Sequence, residues 1–80
     1  MKLTLESTDK IVTLVVNGRD VPARVWQGQT ESGIPVHCFI TRVAVEEGRP
    51  DEDYRQFERE LAEQAKPRLD VQSIPLRFII

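Results

Sequence analysis

Ile11-Val12-Thr13-Leu14-Val15-Val16-Asn17-Gly18-Arg19-Asp20-Val21-Pro22-Ala23-Arg24-Val25-Trp26-Gln27 decides the fold. Ile11 to Val16 is rich in β-branched residues, which suits a half-buried pleated strand. Asn17-Gly18 tolerates positive φ at both positions, as a type I′ hairpin turn requires. Val21 to Gln27 is then the returning strand, with Pro22 at a position that does not donate to the ladder.

Working outward, Lys2 to Glu6 alternates polar and apolar and predicts a short first strand, closed by turn chemistry at Ser7-Thr8-Asp9. Glu31-Ser32-Gly33 predicts a second hairpin turn, and Val36 to Val45 the longest strand, broken at Glu47-Gly48-Arg49-Pro50. Asp51 to Ala65 reads as a helix. Tyr54, Phe57, Leu61 and Ala65 form its apolar stripe, Asp51 its N-cap, Asp51–Arg55 an i,i+4 pair and Pro67 its stop. Ile74, Leu76, Phe78 and Ile80 alternate in a closing strand. The expected fold is α+β: an antiparallel meander of four strands, one helix packed on one face, and a C-terminal fifth strand.

Side chains alternate across a strand, so the hairpins sort residues into two faces. Two-residue turns place Leu14 opposite Val21, Val25 opposite Ile40 and Trp26 opposite Phe39. A loop two residues longer slides these pairs without exchanging faces, and a bulge breaks the assignment. One face then carries Val12, Leu14, Val16, Val21, Ala23, Val25, Val36, Cys38, Ile40 and Ala44, with Arg42 as its charged exception. This is the expected core beneath the helix. The other carries Ile11, Thr13, Val15, Pro22, Arg24, Trp26, His37, Phe39, Thr41, Val43 and Val45. One helix cannot cover both. Either the N-terminal strand or a long loop folds over this mixed face, or the face is a contact surface.

Eighty residues accommodate one domain, residues 1–80, with a small core. Self-association is the remaining reinforcement, because a single cysteine, Cys38, allows neither an internal disulfide nor a multi-cysteine zinc site. No run approaches the roughly 20 apolar residues of a membrane helix. Glu6, Asp9 and Lys10 interrupt the N-terminal apolar pattern, against a signal peptide. A net charge of −2 is not that of a nucleic-acid binder. Residues 46–63 hold Glu46, Glu47, Asp51, Glu52, Asp53, Glu58, Glu60 and Glu63 against Arg49, Arg55 and Arg59. They form a solvated helix face or a dock for a basic partner.

Catalytic chemistry finds no constellation. His37 and Cys38 are adjacent, so in a strand they point to opposite faces and cannot form a nucleophile–base pair within one chain. Cys38 reads as an inert buried thiol and His37 as a packed side chain. No nucleophile elbow, phosphate loop or dinucleotide fingerprint is present. The carboxylates lack calcium-loop spacing, and Gly28, Gly33 and Gly48 read as turn glycines. Arg24, Arg42 and Arg77 lie on predicted strands, where they either pair with carboxylates or hold an anion.

Glu6–Leu14, Val21–Trp26, Val36–Val45 and Ile74–Arg77 together resemble small accessory proteins encoded by bacteriophages and prophages of proteobacteria. The resemblance covers most of the chain and brings no catalytic motif. It implies a bacterial, host-cytoplasmic setting and an accessory role, by context rather than by residue chemistry.

The expectation is a non-enzymatic binding module without metal or cofactor. It acts as a homo-oligomer and on a protein partner, a host defence or regulatory component, through Arg24, Trp26, His37, Phe39, Thr41 and Arg77 on the mixed face. The alternative is an oligomeric protein that sequesters a small anionic or nucleotide-like ligand between subunits. A third reading is an inter-subunit enzyme with His37 as base.

Overall fold

A computed structural model describes residues 1–68. Three antiparallel strands, β1 (Leu3–Val16), β2 (Arg19–Thr30) and β3 (Pro35–Ile40), form one sheet in the order β1-β2-β3 and are followed by a helix, α1 (Asp51–Leu61). The class is α+β, but the four-stranded meander is not observed: the first two expected strands are one continuous β1. The expected fifth strand, with Arg77, lies outside the described residues.

Asn17 (φ 51°) and Gly18 (φ 75°) make the expected two-residue turn, and Leu14 faces Val21. Further down, β1 is irregular. Trp26 faces Ser7 and Arg24 faces Ile11, so Thr8, Asp9 and Lys10 together oppose Val25 alone. Ser7-Thr8-Asp9 is therefore a bulge within a strand, not a turn between two. Thr8 makes it tolerable. Its hydroxyl donates to the Val25 carbonyl (2.6 Å) and accepts from the Lys10 N–H (3.3 Å), bonding backbone groups on both sides of the irregularity.

The second hairpin differs from expectation by one residue. Thr30 N–H donates to the Ile34 carbonyl (2.9 Å), and Gly33 N–H donates to the Thr30 carbonyl (3.0 Å). The loop thus holds three residues, with Gly33 at φ 90° supplying the left-handed position of a glycine bulge. One residue of slip moves every β3 side chain to the other face. Val25 faces Phe39 rather than Ile40, and Trp26 faces Cys38 rather than Phe39. β3 also ends at Ile40, short of the expected Val45. The next position able to pair in this register is Arg42 with Pro22, which has no N–H to give, so the ladder stops at Arg24.

The most buried positions form a small cluster on the Val25 face: Val25 (0% exposed), Ala23 (2%), Thr8 (0%) and Gln27 (2%). The helix does not cover it. α1 buries no residue, and its half-buried Phe57 lies with Trp26 on the opposite side of the sheet. The helix begins after Pro50, which serves as N-cap without a side-chain bond, and its ion pair is Arg49–Asp53 (2.6 Å) instead of Asp51–Arg55. It stops at Leu61, before Ala65, because the following segment is drawn into pairing with β1. Ala65 N–H donates to the Ser7 carbonyl (2.8 Å), and Asp9 N–H to the Ala65 carbonyl (3.0 Å). This makes a parallel bridge at the bulge.

Candidate functional site

The helix and the Trp26 face enclose an open cleft of about 380 Å³, lined by Ser7, Arg24, Trp26, Ile40, Thr41, Arg42, Val43, Phe57, Glu60 and Leu61. β2 supplies Arg24 and Trp26 at alternate positions, so both project to one side. Arg24 is held by the bulge: its Nη1 donates to the Thr8 carbonyl at 2.9 Å. Ser7 is fixed by its own hydroxyl, which donates to the Glu63 carbonyl at 2.9 Å. The irregularity in β1 therefore positions one wall of the cleft. Chemically the cleft combines an indole, aliphatic side chains, two guanidinium groups and the Glu60 carboxylate.

Of the six residues expected to bind, Arg24, Trp26 and Thr41 meet in this cleft. His37 and Phe39 do not. The glycine bulge turns them to the Val25 face, where His37 pairs with Gln27 and Phe39 with Val25. Arg77 lies outside the described residues. In exchange, Ile40, expected in the core, lies in the cleft, and Cys38 sits half-buried beside Trp26. Arg42 and Val43 follow β3 into the rim. Phe57 and Leu61 come from the helix stripe, whose existence was legible but whose sheet face was not, and Glu60, expected on the solvated helix face, joins them. The signal for the exchange was Gly33 in third place of Glu31-Ser32-Gly33, the position a three-residue hairpin loop gives to glycine.

The Val25 face ends in a polar clamp. Buried Gln27 donates through Nε2 to Glu6 Oε1 (3.2 Å) and the Lys66 carbonyl (3.1 Å), and accepts at Oε1 from Arg68 N–H (2.8 Å). Lys66 Nζ lies 2.6 Å from Asp9 Oδ2. That hydrogen bond holds the Asp9 carboxyl below its ordinary range and the Lys66 ammonium above its own. Burial pushes the His37 imidazole below its ordinary value, and the nearby Arg68 charge adds to this. His37 Nε2 is buried with no hydrogen-bond partner among the described residues. The imidazole is packed on the Val25 face, and Cys38 points to the other side. No group of three His, Cys, Asp or Glu is placed to hold a metal among the described residues, and no helix there is long and apolar enough to cross a membrane.

Beyond the cleft, the Trp26 face continues up the first hairpin through Ile11, Thr13, Val15 and Pro22. All four are exposed, with Ile11 at 49% and Val15 at 73%. The helix stops short of them. Compared with known proteins, the chain matches no family model, no curated protein and no solved structure.

Proposed function

We propose that the protein is a non-enzymatic binding module whose Trp26 face contacts another protein. The observation that carries this reading is the exposed apolar strip Ile11–Val15–Pro22 running into a cleft with Trp26 and two arginines. Contiguous exposed apolar surface of this kind marks contact sites, and tryptophan and arginine are the residues enriched where contacts are strongest. The resemblance to phage and prophage accessory proteins makes a host defence or regulatory protein the expected partner. A second reading rests on Arg24 and Arg42 lining the same cleft as Trp26: a small anionic or nucleotide-like ligand seated there.

Capture from a bacterial lysate by tagged protein separates the two. The protein-contact reading expects a defined partner bound by the wild type and by Glu58→Lys on the helix exterior, and lost with Ile11→Asp/Val15→Asp. It is overturned if the double variant captures the same proteins or if the wild type captures none. The ligand reading instead expects a nucleotide or another anion to raise the melting temperature by mass action, and Arg42→Ala to abolish that rise.

A further inference from the structure

The two outer edges of this sheet are unequally protected. β3 is six residues long and opens on Pro35, two of the ordinary devices that keep an edge from pairing. β1 has 14 residues, and its upper half, Ile11 to Val16, contains no charge, no proline and no bulge. Ser7 carbonyl and Asp9 N–H turn outward, away from β2, to bond Ala65. Ladder groups alternate, and Thr13 lies opposite Pro22, which has no N–H to exchange, so the groups of Thr13, and with it Ile11 and Val15, turn to that same outer side. Those three residues carry the exposed side chains of the Trp26 face. Ala65 bonds this edge at Ser7 and Asp9, and among the described residues no chain continues along it past Lys10.

We infer that this edge pairs with the same edge of a second copy, antiparallel about a two-fold axis at Thr13. The inference rests on the reading of the hairpin as a contact surface and names its partner. The sequence of the edge is self-complementary in this register. Ile11 lies opposite the partner's Val15 and Thr13 opposite its own copy, and each of these pairs exchanges outward backbone bonds. On the other face, Val12 lies opposite the partner's Leu14. A register shifted by two residues in either direction loses one of the outward pairs. No charged group meets another across the axis, and the contact is isologous, so it closes at two copies. Pairing joins the two sheets and sets two Trp26 faces side by side. Main-chain bonds supply the affinity, as in other strand additions.

Sedimentation equilibrium of the full chain over the micromolar range tests this. The wild type is expected to move from one to two chains with concentration. Thr13→Lys, at an exposed position, sets two ammonium groups opposite each other and is expected to weaken association at least tenfold while leaving the circular dichroism spectrum unchanged. Thr13→Val, neutral and β-branched, is expected to keep the dimer. A wild type that stays monomeric, or a dimer indifferent to Thr13→Lys, overturns the proposal. If the monomer still captures a lysate protein through Ile11 and Val15, the contact-surface reading survives and self-pairing alone fails.

Discussion

β1 and β2 run side by side for the whole length of the sheet, yet their two ends are built differently. At the Ser7–Asp9 end, the Thr8 hydroxyl, the Gln27 amide and the Arg24 guanidinium each bond a backbone group, and Thr8 and Gln27 are buried. At the Ile11–Val16 end, the first residues past the bulge are apolar and largely open to solvent. The lower end stores the stability of the domain in satisfied polar groups. The upper end leaves apolar side chains exposed at Ile11, Val15 and Val16. The proposed contact surface is thus set apart from the buried cluster along one pair of strands.

That contrast can be broken most severely at Gly28. A Cβ there falls 1.8 Å from the Thr4 carbonyl oxygen on neighbouring β1 backbone. Glycine here marks a close approach of two strands, and not the turn expected from the sequence. Gly28→Ala is expected to cost about 3 kcal/mol or more, read as a large fall in the urea midpoint. A midpoint near that of the wild type would show that the lower end tolerates looser packing than described.

Gln27→Leu keeps the volume of the clamp but strips partners from the Lys66 carbonyl and the Arg68 N–H. Leaving such groups unpaired costs about 1–3 kcal/mol. The urea midpoint should fall accordingly, and a neutral result would mean that solvent already satisfies them.

A smaller effect is expected from pH. The folded pKa of His37 is depressed below the ordinary 6.5, so the unfolded chain binds more protons in the window beneath that value. Stability should be full above 6.5, decline as pH falls through it, and level off below the folded pKa. The decline, followed by urea titration at several pH values, should shrink in His37→Gln. Asp9 acts in the same direction at lower pH, where loss of its charge releases Lys66.

The smallest effect is expected at the open end. Val15→Thr, at 73% exposure, should change stability by no more than about 0.5 kcal/mol. A larger loss would mean that Val15 is packed, and the contrast between the two ends would dissolve.

Legibility in the sequence follows the chemistry of the turns. Asn17-Gly18 permits one tight turn and one register, so every pair from Val16–Arg19 to Val12–Ala23 was readable. Glu31-Ser32-Gly33 permits a two- or a three-residue loop, and the glycine took the extra place. That one residue exchanged His37 and Phe39 for Cys38 and Ile40 on the Trp26 face. Ser7-Thr8-Asp9 has turn composition, but its hydroxyls serve a bulge: Thr8 bonds the Val25 carbonyl and Ser7 the Glu63 carbonyl. The helix stripe was readable from spacing. Its docking side was not, since periodicity says which face of a helix is apolar and nothing about which face of a sheet receives it. Arg24, Trp26 and Thr41 remained in the site because β2 carries the first two and the end of β3 leads directly into the third.

Amide hydrogen exchange at Asp9 and Thr13, followed by NMR across a dilution series, tests the central contrast most directly. Both N–H groups point to the same outer side of β1, where the first is bonded to Ala65 and no neighbouring strand lies beside the second among the described residues. The account predicts protection of Asp9 at every concentration and protection of Thr13 only where chains associate. Equal protection of the two at high dilution, or an unprotected Thr13 at every concentration, would contradict it.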